Sequence, residues 1–140
     1  MPQPGLTLEN TIRSMRIIYV ALLFTMILYV LMAEALAHHD VHDVHVLWIA
    51  FLLTGLMIVG IALLFRIKML QPAIENLQEK ADDQIALARW RAGNILSFVL
   101  AESIVLFGFA LRFLGGTITQ SLPFYIVGVA LMLVWWPRRP

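Results

Sequence analysis

Residues 46–65 run from a valine to a phenylalanine without a single charged side chain. A helix needs about 20 such residues to cross a hydrocarbon core ~30 Å thick, at about 1.5 Å of rise each. Three further apolar runs follow the same pattern. They are 17–36, interrupted by Thr25 and Glu34; 95–114, carrying Glu102 and Arg112; and 126–136, which extends back towards Ile118. Within lipid each must be a helix, because every backbone amide has to be satisfied inside its own segment. The expected fold is therefore all-α. It is an integral membrane four-helix bundle of two hairpins, one transmembrane domain with spans at about 14–37, 46–68, 94–114 and 118–136. Composition agrees, since 61% of the residues are hydrophobic. Only 14% are charged, against ~25% in an ordinary soluble domain.

The basic residues orient these spans. Arg13 and Arg16 precede the first; Arg66, Lys68, Lys80, Arg89 and Arg91 lie between the second and third; Arg138 and Arg139 follow the fourth. The connections 37–45 and 115–123 contain none. By the positive-inside rule both termini and the middle loop, 69–93, are expected in the cytoplasm, with the turn 38–45 outward. Trp48, Trp90, Trp135 and Trp136 fall near span ends, where amphipathic rings prefer to sit. The first apolar run, behind Arg13 and Arg16 and ahead of Ala35-Leu36-Ala37, also has the layout of a secretory leader. It is expected to stay as a membrane span.

The middle loop is the one sizeable polar segment. Pro72 is expected to end or kink the helix leaving the membrane. Residues 73–80 favour helix, and Asp82 or Asp83 can cap a helix running on into the third span. The loop reads as a cytoplasmic helical hairpin at the membrane surface, a connector more simply than a relay to a partner. A net charge of +1 gives no reason to expect nucleic acid. The absence of cysteine excludes disulfides, thiolate metal sites and a cysteine nucleophile.

The third span carries the most informative residue. Asn94, Ala101, Val105, Gly108 and Arg112 fall within ~60° of one another on a helix, with Ser97 beside them. Small and polar residues on one stripe mark a face that packs against other helices. Glu102 sits at the edge of that stripe, eight residues beyond Asn94 and so about 12 Å deeper. That depth is near mid-membrane, where an acidic residue costs ~2.5–3.5 kcal/mol on insertion scales. No basic residue lies at the same level, and Arg112 is about 15 Å further along the same helix. A largely neutral Glu102 is expected, donating a hydrogen bond to a carbonyl, an Asn, Ser or Thr side chain, or water. Such a carboxyl serves either as packing glue or as a reversible proton or cation site, with Asn94 and Ser97 as its candidate companions.

The string Ala101-Glu102-Ser103-Ile104-Val105-Leu106-Phe107-Gly108-Phe109 resembles the ion-binding helix of rotary ATPase proteolipid (c-ring) subunits. That resemblance implies that Glu102 binds the transported proton or sodium ion at mid-membrane. The chain departs from the family elsewhere. No glycine occurs between Leu6 and Thr54, where proteolipids have a glycine-rich inner helix, and the long middle loop and Arg112 are foreign to the pattern. A conventional c subunit is not expected. The overall plan (R-x-I near the start, A-R-W-R-A-G before the third span, L-R-F-L-G-G after it, a P-R-R-P end) is similar to small bacterial four-helix membrane proteins. This second resemblance implies a bacterial inner membrane and supplies no function.

Glu34 lies 18 residues beyond Arg16, and Arg112 lies 18 beyond Asn94 on a span running the same way. Both reach a similar depth near the outer surface, about 27 Å along. The simplest account is an interhelical ion pair, because charged groups in spans face the bundle and find each other. A gating pair or an anionic-headgroup site is the functional alternative.

All four histidines fall in His38-His39-Asp40-Val41-His42-Asp43-Val44-His45. On a helix His38, His42 and His45 share one face, and neutral imidazole suits zinc or copper. Asp43 or Asp40 would serve as a ligand or as an orienting partner. The plainer alternative is a solvated polar turn. Proton sensing near neutral pH is a further use of such a cluster.

Three readings stand. The first is a membrane protein handling protons or cations through Glu102, in a homo-oligomer. The second is a metal-binding sensor using His38, His42, His45 and Asp43 with zinc or copper. The third is a structural or accessory subunit of a larger membrane complex. An enzyme is the least supported class, since no nucleophile with an adjacent base can be placed.

Overall fold

The computed structural model describes residues 7–36, 43–81 and 83–137. These form helix α1 (Leu8–Leu36), α2 (His45–Phe65), a π-helical segment (Arg66–Leu70), α3 (Gln71–Glu79), α4 (Gln84–Phe113) and α5 (Ile118–Val134). The described part of the chain is all-helical. Three rods, Leu8–Leu36, His45–Glu79 and Gln84–Phe113, are long and apolar enough to cross a membrane. At 17 residues, α5 is shorter; it ends two residues before the expected 136, with Trp135 in the closing turn.

The expected polar loop is mostly helix continuous with the long apolar rods. The rod from α2 passes through Pro72 without breaking. Proline lacks an N–H and its ring crowds the carbonyl four residues back, which would disrupt a plain α-helix. Widening to π geometry over Arg66–Leu70 absorbs this, and the Gln71 N–H donates to the Arg66 carbonyl five residues back. Pro72 then lies in the first turn of α3, where its missing donor costs little. The connector between rods reduces to residues 80–83. Asp83 rather than Asp82 caps α4, its Oδ1 accepting from the N–H groups of Ile85 at 2.9 Å and Ala86 at 3.2 Å.

The two-hairpin arrangement also needs correction. Among the described residues α1 and α2, consecutive in sequence, make no contact; both pack on α4, as does α5. In the most apolar stretch of each rod, 44% of α4 is buried, against 17% of α1 and 11% of α2. The small residues of α4 explain why it occupies the centre. A Cβ on Gly108 would come within 2.6 Å of the Tyr125 ring, and one on Gly128 would collide with Val105 Cγ2 and the Ala101 carbonyl. Glycine at both places lets α4 and α5 meet at backbone distance.

Ring pairs set the register of α1. Tyr19 meets Phe98 edge-on at 5.4 Å, and Tyr29 meets Phe109 at 5.9 Å, so α1 and α4 run the same way. The Tyr19 hydroxyl donates to the Met132 carbonyl at 3.0 Å, tying α1 to the end of α5. Phe51 stacks on Phe107 at 4.9 Å, and Trp48 Nε1 donates to the Gln120 carbonyl at 3.0 Å, fixing α2 against α4 and α5.

Candidate functional site

Two clusters of polar residues and a lone carboxyl lie on α4, and they differ in how completely the described residues satisfy them. The first closes one end of the bundle. Arg112 Nε donates to Glu34 Oε1 at 3.0 Å and Nη2 donates to Oε2 at 3.2 Å, a two-pronged pair between α4 and α1. The remaining prong, Nη1, donates to the Gly116 carbonyl at 3.0 Å. That carbonyl is presented by a tight turn after α4. Gly115 takes φ 92°, and the Gly116 N–H returns to the Leu111 carbonyl at 2.8 Å. A residue with a Cβ is strained at such a φ, so glycine is what lets α4 stop there. Thr117 and Gln120 then start α5 with reciprocal side-chain-to-backbone bonds. Ser121 and Tyr125, both buried, belong to the same end of the bundle. Depth counting placed Glu34 beside Arg112, but nothing in the sequence pointed to Tyr125 or Ser121. Their only signal is a hydroxyl pair one turn apart in an apolar run.

The second cluster is the polar part of the α4 stripe. Asn94 is 2% exposed and Ser97 1%. Asn94 Nδ2 donates to the Trp90 carbonyl at 2.9 Å and Ser97 Oγ to the Gly93 carbonyl at 2.8 Å, both within their own helix. They are packing residues with their polarity turned inward, and the structure does not bring them to Glu102.

Glu102 stands apart from both. It is partly exposed, and among the described residues it makes no hydrogen bond and no ion pair. The expected hydrogen bond to a neighbouring polar group is therefore not formed among the described residues. The reason is its direction. Around α4, Phe98 and Phe109 turn towards α1, Ala101 and Gly108 towards α5, and Phe107 towards α2. Glu102 borders a flank that none of the described helices covers, with Val99 at 44% and Leu106 at 38% exposure. The Tyr19–Phe98 and Tyr29–Phe109 pairs place residues 23 and 22 of α1 level with it. Both are leucines and offer it nothing polar.

At the other end of the bundle, Arg66 opens the π segment with its guanidinium carbon 5.0 Å from the centre of the Trp135 ring. Its Nη1 is buried without a hydrogen-bond partner among the described residues, so the ring face is the main compensation for that charge. In the sequence Arg66 bears only on orientation and Trp135 only marks a span end.

Of the proposed metal ligands, His38 and His42 lie outside the described residues. Asp43 Oδ1 accepts from the His45 N–H at 3.1 Å and so organises the start of α2. The His45 ring lies 6.0 Å from that of Trp48. Among the described residues no group of three metal-ligating side chains occurs. The chain matches no known protein family, no curated protein and no solved structure.

Proposed function

We propose that this chain is a small polytopic membrane protein that handles protons or cations through Glu102, within a homo-oligomer assembled on the open flank of α4. One observation carries the reading. Among the described residues the most central helix leaves one flank uncovered, and bordering that flank is a carboxyl with no polar partner. An unpaired acid facing hydrocarbon is costly, and such residues mark ion pathways more often than not. A second copy against Val99 and Leu106 would withdraw Glu102 from lipid and complete a site that one copy leaves unfinished. The basic residues gathered at the α1 start and the α3–α4 end support a cytoplasmic position for those ends and for both termini.

An accessory-subunit reading draws on a different observation, the inward-turned polarity of Asn94 and Ser97 and the closed Glu34–Arg112 pair. Carbodiimide labelling followed by intact mass separates the two, with Glu102→Gln as the control. One adduct lost in Glu102→Gln, and slowed by one particular cation, is the expected result. No adduct at any pH would mean a sealed or paired carboxyl and would leave the accessory reading in its place.

A further inference from the structure

The first turns of α1 carry an ordered set of charges that neither the pair chemistry nor Glu102 uses. A groove of about 790 Å³ runs along this helix, lined by Glu9, Arg13, Arg16, Ile17, Val20 and Phe24 among others. At 100° per residue these six lie within an arc of about 100°, so they form one longitudinal strip. Glu9 and Arg13 are spaced to pair along a helix, yet neither they nor Arg16 makes an ion pair or a hydrogen bond through its side chain among the described residues. Ile17, Val20 and Phe24 are 63%, 55% and 66% exposed, far more than a helix buries against a partner in the same chain.

The order along the strip is what identifies a ligand. Moving out of the apolar rod, the surface is first hydrocarbon (Phe24, Val20, Ile17), then cationic (Arg16, Arg13), then anionic (Glu9). A phospholipid with a primary ammonium beyond its phosphate has the complementary order of acyl chain, anion and cation. Arginine suits the phosphate because its planar fork binds two oxygens at once. Glu9 lies about 6 Å beyond Arg13, one turn further from the apolar part. A headgroup with phosphate alone would leave Glu9 facing an anion, whereas an ammonium-bearing one satisfies all three side chains.

We infer that this strip of α1 is a binding site for phosphatidylethanolamine-type lipid, with Arg13 and Arg16 on the phosphate and Glu9 on the ammonium. The test is native mass spectrometry of the full chain, delipidated in mild detergent and offered equal amounts of phosphatidylethanolamine and phosphatidylglycerol. The wild type is expected to carry the ethanolamine lipid in about fivefold excess, one interfacial charge contact being worth that much. Glu9→Gln should bring the ratio to about one while total lipid is kept, and Glu9→Asp should retain the preference. Arg13→Gln/Arg16→Gln should lower both lipids, by about fivefold for each arginine. Circular dichroism confirms that each variant is folded before it is scored. A wild type that takes phosphatidylglycerol equally well, or an unchanged ratio in Glu9→Gln, would overturn the assignment.

Discussion

Glu34 and Glu102 both sit in helices long and apolar enough to cross a membrane, and the structure treats them in opposite ways. Glu34 is held by two prongs of Arg112, whose third prong is latched to the turn after α4. Glu102 makes no hydrogen bond or ion pair among the described residues. The difference lies in which side of α4 each one meets. Arg112 projects into the α1–α4 seam, where a second element can answer it. Glu102 is level with leucines and borders the uncovered flank. A charge answered inside the chain specifies how the helices pack; a carboxyl left unanswered points to something outside it.

The comparison is tested most severely on the packed side. Gly128→Leu would drive a side chain into Val105 and the Ala101 carbonyl, where α4 and α5 touch. A loss of about 3 kcal/mol, the upper end for overpacking, is expected in thermal unfolding in detergent. Stability within 1 kcal/mol of wild type would mean that the two helices can part cheaply. Glu34→Ala should cost about 2 kcal/mol, because it strands a partly buried guanidinium rather than removing a neutral contact. Removing Arg112 as well should recover part of that loss, and strictly additive losses in the double variant would show that the pair is not coupled.

Tyr19→Phe removes the hydroxyl that reaches the Met132 carbonyl and should cost about 1 kcal/mol. A larger loss would shift weight from the α4–α5 seam to the tie between α1 and α5. The smallest effect on stability belongs to Glu102→Gln, within about 0.5 kcal/mol, as befits a partly exposed side chain with no partner to lose. Its effect should appear only in carbodiimide labelling and in assembly. The open flank can be probed directly, because the chain has no cysteine of its own. Cysteine introduced at Val99 should form disulfide-linked dimers in bilayers, while cysteine at buried Ser97 should not. Equal cross-linking at both sites would remove the case for a contact surface at Glu102.

Much of this architecture was legible in the residues, and the limits of that legibility are physical. A charge-free run at 46–65 can only be a buried or membrane-crossing helix, and equal residue counts from Arg16 and Asn94 bring Glu34 and Arg112 to one level. Helix starts were readable where a side chain supplies the cap, as Asp83 does. Pro72 was legible only as an end or a kink and does not end the helix, because its effect depends on whether the preceding turn can widen. Here Arg66–Leu70 does so, next to Gly93, where a Cβ would lie 3.0 Å from the Leu70 side chain.

What the sequence determined by itself is local: which segments are helical, how long they are, where they are capped, and how deep each polar group lies. These follow from hydrophobicity, hydrogen-bond satisfaction and a fixed rise per residue, all properties of one segment at a time. Only the tertiary structure decided which helix is central, that α1 and α2 stay apart, and that Asn94 and Ser97 turn to their own carbonyls. It also decided that Glu102 borders a flank that no other described helix covers. Those outcomes depend on which surfaces fit most closely, and close fit is set by pairs of residues far apart in the chain, such as Gly108 with Tyr125 and Gly128 with Val105.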